Sequence, residues 1–199
     1  MGGPADSEGG RRGVISFENV TFGYVPRRTI IENLSLTAAP GQPVCLWGPS
    51  GCGKTTVLRL VMGLEKPRSG KIIRPEGLRI SAVFQEDRLI RTKTALENVA
   101  LFCPEEEAEE MLRRLGLGDG RNQRPAALSG GMRRRVALAR ALAHPFEALV
   151  LDEALTGLDD DTKAICLDAI REAAAGKTLL LATHDRAEAE ALGATIVTL

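Results

Sequence analysis

The chain carries no excess charge of either sign. Its 199 residues hold 26 Lys and Arg against 26 Asp and Glu, and the isoelectric point is near 6.8. Proteins that grip a nucleic-acid backbone show a basic surplus, so DNA or RNA is disfavoured as a direct partner. Histidine and cysteine are also sparse. There are two histidines (His144, His184) and four cysteines (Cys45, Cys52, Cys103, Cys166), with no C-x-x-C pair. That argues against a zinc site and a disulfide framework, and fits a reduced, cytosolic chain. Long hydrophobic runs are missing. Ala148–Leu151 and Leu179–Ala182 are strand-sized, well short of the ~20 apolar residues of a membrane helix. No secretory leader is read, because the N-terminus lacks an apolar stretch. Met1-Gly2 does not continue as a myristoylation motif, since Asp6 stands where Ser or Thr is needed. What is present is one domain's length of chain, 44% hydrophobic, enough to bury a core without disulfide or metal staples. Twenty of the 26 basic side chains are arginine.

Residues 1–13 contain five glycines and no large apolar side chain, and are expected to form a disordered tail. Ile15 and Phe17 begin a period-2 pattern that slips phase to Val20, Phe22 and Tyr24, which predicts strand, bulge or turn, strand. A second strand pair is expected around Ile30–Leu36 and a turn at Pro40-Gly41. From Val44 the pattern changes. Val44–Trp47 is continuously apolar, as in a strand buried on both faces. A Gly-rich loop follows, then a helix with Val57, Leu60, Val61 and Leu64 on one face. Further buried strands are expected at Ala82–Phe84, Ala148–Leu151 and Thr178–Ala182. Between the last two, Ile165, Cys166, Ala169, Ile170 and Ala173 recur at helical spacing. Strand–helix–strand order implies a parallel sheet with right-handed crossovers. The stretch at about 86–145 has no strand signal. It offers a helix over Glu105–Leu115, with Ala108, Met111, Leu112 and Leu115 on one stripe, and another over Gly130–Ala143 ended by His144-Pro145. The prediction is an α/β core with an inserted helical segment.

Three motifs carry chemistry. Gly48-Pro49-Ser50-Gly51-Cys52-Gly53-Lys54-Thr55 fits G-x-x-x-x-G-K-[ST] between a strand and a helix. Glycines let the loop turn its N–H groups onto phosphate oxygens, and the helix adds its positive end. Lys54 then reaches the β- and γ-phosphates and the Thr55 hydroxyl ligates Mg²⁺. The second motif is a buried strand ending in Asp152 and Glu153. A carboxylate there faces the crevice at the strand ends of an open α/β sheet. Asp152 is placed for Mg²⁺, and Glu153 is a candidate general base for water. The third is Leu128-Ser129-Gly130-Gly131-Met132. Ser129 is a helix cap and the two glycines expose the first amides of the helix, a second phosphate-binding end. One subunit does not easily need both ends for one nucleotide. Two subunits packed head to tail can each offer one.

In their order these motifs resemble the nucleotide-binding subunit of an ABC transporter, from about Val14 to Leu199. The resemblance implies a P-loop NTPase core with a mainly parallel sheet, an N-terminal antiparallel β subdomain and the inserted α-helical subdomain. It implies the cofactors ATP and Mg²⁺, with Gly48–Thr56 as the P-loop, so that Thr56 joins the phosphate site. Tyr24 matches the aromatic that stacks on adenine; as a ring beside Phe22 it could equally be packed core. Gln85 in Val83-Phe-Gln-Glu86 matches the Q-loop, as a ligand to Mg²⁺ or water and a hinge; a surface glutamine is the plain alternative. Leu128–Met132 matches the signature, Asp152 and Glu153 the Walker B acid and catalytic glutamate, Leu158-Asp159 the D-loop, and His184 in Thr183-His-Asp185 the switch histidine. His184 would bond the γ-phosphate, or else be a satisfied core histidine. His144 has no such context. Arg133-Arg-Arg135 is read as a solvated helix face, with a partner contact as second choice.

The resemblance further implies a second copy of the chain as an ATP-dependent partner, an integral membrane permease, and an extracytoplasmic solute-binding protein in the same system. The location would be cytoplasmic, on the inner face of the membrane through the permease. Met132 stands where the family more often has Gln, Ala154 where it has Pro, and Gly157 where Ala is frequent. The hairpin between Ile73 and Ser81 is short and the chain stops soon after the His184 strand, which reads as a minimal cassette. Val83–Leu89, Thr94–Val99 and the signature are similar to ATPases of bacterial nitrate, sulfonate and taurine importers, although Arg91-Thr-Lys93 departs from their pattern. Two other readings stay open: a soluble ABC-type ATPase that remodels nucleic acid or ribosomes, and a P-loop kinase acting on a small molecule.

Overall fold

The computed structural model describes residues 13–199. The tail expected over 1–13 therefore lies outside the described residues except for Gly13, which is buried and whose carbonyl accepts a hydrogen bond from Thr178 Oγ1 at 2.6 Å. Two sheets organise the chain. The first is antiparallel, in the order β2-β1-β4, from β1 (Ile15–Phe22), β2 (Ile31–Ala38) and β4 (Ser69–Ile73). The phase slip in β1 is a bulge: pairing with β2 shifts between Phe17 and Val20 and again before Phe22. Asn19 absorbs the kink at φ 48, a left-handed conformation that Asn tolerates better than most residues. Through it Ile15, Phe17, Val20 and Phe22 all reach the core. The sequence of β4, Ser-Gly-Lys-Ile-Ile, shows no alternation, and the strand is mostly exposed.

The second sheet is parallel, in the order β5-β6-β7-β3-β8. Its strands are β3 (Val44–Trp47), β5 (Ile80–Val83), β6 (Ala148–Asp152), β7 (Thr178–Ala182) and β8 (Thr195–Thr198). β6 and β7 are buried along their whole length, as continuous apolar runs require. The last strand, β8, is not foreseen in the sequence. It pairs with β3 from Val44 to Trp47 and keeps mostly exposed side chains. All five strands run the same way, so Trp47, Val83, Asp152, Ala182 and Thr198 end on one edge.

Helix α1 (Lys54–Val61) follows the P-loop and buries Val57, Leu58, Leu60 and Val61. Leu64 is not on that face: α1 ends at Val61, and Leu64 is 52% exposed. The insert holds α2 (Ala95–Val99), α3 (Glu105–Arg114) and α4 (Gly130–Ala143), which pack on one another. α2 is short and is started by a capping box in which Thr94 and Glu97 satisfy each other's amides. α4 also touches β5, so the insert is fastened to the parallel sheet. α5 (Asp160–Ala173) crosses from β6 to β7 and buries Cys166, Ala169 and Ile170. Ile165, expected on that stripe, is instead 45% exposed. α6 (Arg186–Ala191) leads to β8. Burial pushes the Cys166 thiol up to about 11, so this cysteine is packing rather than chemistry.

Candidate functional site

The P-loop leaves β3 and turns sharply into α1. Gly48, Gly51 and Gly53 have φ of 156, 83 and 112, so two lie squarely where a side chain would be strained. A Cβ at Gly53 would meet Ile31 at 2.6 Å. The loop thus closes tightly against β2. Lys54 is buried and its Nζ donates to the carbonyls of Gly48 (2.7 Å) and Pro49 (3.1 Å). The ammonium is held across the loop mouth by bonds that a phosphate can replace.

Asp152 closes the other side. It ends β6, is 4% exposed, and accepts from Thr55 Oγ1 at 3.1 Å. Burial raises its pKa, and the neighbouring Glu153 charge adds to this, while the Thr55 hydroxyl works against it. A buried carboxyl beside a hydroxyl is a hard-oxygen pair that suits Mg²⁺, and a cation there would offset the desolvation. Glu153 has φ 50, uncommon for a residue with a side chain, and its amide donates to Ala182 O at 2.9 Å. This turn directs the carboxylate at the end of β7, where His184 Nδ1 lies 3.4 Å from Glu153 Oε2. The His184 side chain is 65% exposed, so it is not a core histidine.

Tyr24 lies on the turn between β1 and β2, 53% exposed, with its ring edge-on to Phe22 at 5.0 Å. It is therefore not packed core. Ile30 N donates to Phe22 O, and Ile30 and Ile31 line Gly53, so this turn sits beside the P-loop. Gln85 lies two residues past the end of β5; Val83 pairs with Leu151, so continuing the register puts Phe84 level with Asp152 and Gln85 level with Glu153. The Gln85 side chain is exposed. Ser129 caps α4 by accepting from Met132 N at 3.2 Å, and Gly130 lies on the surface behind it. A Cβ on Gly131 would press on Leu158 at 3.3 Å. The start of α4 and Asp159 are therefore neighbours. Asp159 caps α5 by accepting from Thr162 N (2.9 Å) and Thr162 Oγ1 (2.8 Å), and those bonds hold its carboxyl below the usual range. Among the described residues no hydrogen bond joins Ser129–Gly131 to the P-loop of the same chain.

A family model described as ABC transporter matches residues 31–156. The chain belongs to the ABC transporter family. It is 44% identical to the Fe(3+) ions import ATP-binding protein FbpC of Brucella abortus (strain 2308), over 94% of this chain and 58% of that protein. It is 46% identical to the aliphatic sulfonates import ATP-binding protein SsuB of Cupriavidus pinatubonensis, over 85% of this chain and 60% of that protein. The chain thus spans about three fifths of the length of these relatives. Among solved structures it is similar to the dimeric ATP-binding cassette MJ0796 in a post-hydrolysis state bound to ADP and Pi. The TM-score is 0.83 and the identity 30%, over 93% of this chain and 94% of that one. A bacterial Atm1-family ABC exporter with ATP bound gives a TM-score of 0.87 at 28% identity, covering 38% of that chain.

Within this ABC fold, the arginine run after the signature is not a solvated face. Arg134 donates to Phe84 O (2.8 Å) and Gln85 O (2.7 Å), and it lies 3.3 Å from Asp87 Oδ1 without hydrogen-bond alignment. Arg135 reaches Leu115 O and Gly116 O at the end of α3, and Arg133 reaches Leu128 O. Arg140 holds the carbonyls of Asp87 and Arg88. The whole segment after β5 is pinned by α4. No local signal in the sequence points to the Arg134 and Arg140 bonds, because their partners lie 49 to 53 residues away. Met132, next in the same helix, packs its side chain against the hydrophobic core.

Proposed function

We propose that this chain is the ATP-hydrolysing subunit of an ABC transporter that dimerises around two Mg-ATP and drives a membrane permease for solute import. The observation that carries it is the division of the site. One half is P-loop, Thr55, Asp152 and Glu153 on the strand ends; the other is the Ser129–Gly131 helix end beside Asp159, and among the described residues no hydrogen bond joins Ser129–Gly131 to the P-loop within one chain. A head-to-tail pair joins the P-loop of one copy to the signature of the other.

In this reading, P-loop amides and Lys54 hold the β- and γ-phosphates of ATP, and Tyr24 offers its exposed face to adenine. Thr55, Asp152 and Gln85 would hold Mg²⁺, which supplies neutralisation of phosphate charge. Glu153 takes a proton from water as the water oxygen bonds to the γ-phosphorus. The bond from the γ-phosphorus to the bridging oxygen breaks, and ADP leaves with the electron pair. His184 orients the water and Glu153. The alternative of a small-molecule kinase, transferring the γ-phosphoryl group to a hydroxyl instead of water, has no observation in its favour.

The permease reading draws on the import ATPases to which the chain is similar and on a groove of about 530 Å³ between α1, β5 and the insert. Leu64, Ile90, Leu101 and Phe102 expose apolar surface there, and Phe102 stacks on His144 at 5.1 Å. Among the described residues no helix is long and apolar enough to cross a membrane, so the reading places the chain on the membrane's inner face through its partner. A solute-binding protein outside the membrane would complete an importer.

The test is Glu153→Gln. It should bind ATP, hydrolyse it poorly and elute as a dimer on size exclusion with Mg-ATP. A strictly monomeric Glu153→Gln at high concentration would overturn the shared-site model.

A further inference from the structure

His184 is held by very little of its own. Its side chain is largely exposed, and among the described residues its one charged or hydrogen-bonding contact is Glu153 Oε2 at 3.4 Å. Its direction therefore depends on the backbone of the turn from Thr183 to Asp185. Both flanking residues are anchored, and the anchors converge on one side chain. Lys163 Nζ donates to Asp185 Oδ2 at 2.9 Å and lies 3.5 Å from Glu188 Oε1. Glu188 is buried, and its second oxygen accepts from Thr183 Oγ1 at 2.6 Å. Thr183 Oγ1 in turn accepts from Asp185 N at 3.0 Å. Asp185 Oδ1 caps α6 through Ala187 N. Lys163 itself sits in the first turn of α5, with its amide bonded to the carbonyl of Asp159 at 2.8 Å. The Asp185 carboxyl is held below its usual range first by this lysine, and the Lys163 ammonium is raised in return.

We propose that Lys163 is a positioning residue for ATP hydrolysis, tying the α5 turn that starts at Asp159 to the turn that aims His184 at Glu153. This rests on the ATPase reading above and extends it to regulation. A partner copy that presses on the Asp159 end of α5 moves Lys163 by the same rigid turn, and Lys163 carries that shift to both sides of His184. The buried Glu188 makes the tie stiff, because a carboxylate removed from water is stable only with its cation and hydrogen bonds in place. Lys163 bonds to Asp185 and Glu188, and its effect on hydrolysis runs through His184.

The test is a double-mutant cycle in the full chain. Lys163→Met should lower kcat for ATP by ~10-fold to ~100-fold, the range expected when a catalytic group is misplaced. The Kd for a non-hydrolysable ATP analogue should stay unchanged. In a His184→Ala background, Lys163→Met should cost nothing further. Asp185→Asn keeps the α6 cap but removes the charge that Lys163 meets, and should lower kcat in the same direction. It also keeps the test decisive where Lys163→Met does not fold. Full multiplication of the two losses in the double variant would overturn the proposal, as would a loss in nucleotide affinity equal to the loss in kcat. Wild-type turnover is the control. Its absence would sink the ATPase reading and this proposal with it, whereas full-speed Lys163→Met beside an active wild type would sink this proposal alone.

Discussion

Lys54 shows how much one side chain can do when the backbone around it is already arranged. Its ammonium spans the loop mouth on two carbonyls, at 2.7 and 3.1 Å, so little reorganisation separates the free loop from one wrapped on phosphate. Lys54→Ala removes the only fixed positive side chain bonded to that loop among the described residues. Phosphate release should fall by ~100-fold or more, the scale seen when a charge-stabilising donor is deleted. The folded state should persist by circular dichroism, since α1 buries four apolar side chains independently of the lysine. Glu153 belongs to the same scale. Its left-handed φ of 50 is the sort of local cost that a structure maintains at a working site, and here the Ala182 carbonyl holds it.

α4 is the element on which most of the insert depends. Its N-terminal end presents Ser129 and Gly130 to the surface, its buried face packs in the insert core, and its arginines grip other segments by their carbonyls. Arg134→Ala would leave Phe84 O and Gln85 O without their donor and Asp87 without its nearest cation. We expect about 2 kcal/mol lost in urea unfolding, in line with hydrogen bonds from a charged donor. Faster amide exchange should be confined to residues 84–88, and uniformly faster exchange across the chain would count against a local brace. Asn98 does a parallel job for the loop before α2. Fully buried, it donates to Ile90, Lys93 and Thr94 carbonyls and accepts from Ile90 N. Asn98→Ala should cost about 2 kcal/mol or more by stranding buried polar groups, readable as a lowered melting temperature.

For the molecule as a whole, the parallel sheet gathers five strand ends on one edge, and the site follows from which strands are neighbours. β7 lies between β3 and β6, which brings His184 to Glu153 while α1 brings Thr55 to Asp152. The signature end lies on the insert beside Asp159 and serves another copy in the reading proposed above. ATP turnover per mole of protein should therefore rise with protein concentration and level off once dimers dominate. A specific activity flat from nanomolar to micromolar protein would count against a shared site.

The sequence alone determined the core strands β3, β6 and β7, the P-loop, the acids at the end of β6 and the capped start of α4. Each is a local pattern, a run of apolar residues or a fixed spacing, whose physics acts within a few residues. It also carried the phase slip in β1 as a bulge or a turn, and the pairing with β2 makes it a bulge. Tertiary structure alone decided the rest. β4 and β8 are edge strands without a buried face of their own, so neither writes an alternation. Arg134 and Arg135 look like a solvated face until the carbonyls they hold, 19 to 50 residues away, are folded against them. Lys163 and Glu188 likewise acquire meaning only when α5 is laid beside the His184 turn, since a charge buried at a junction of distant segments leaves no period in any one of them.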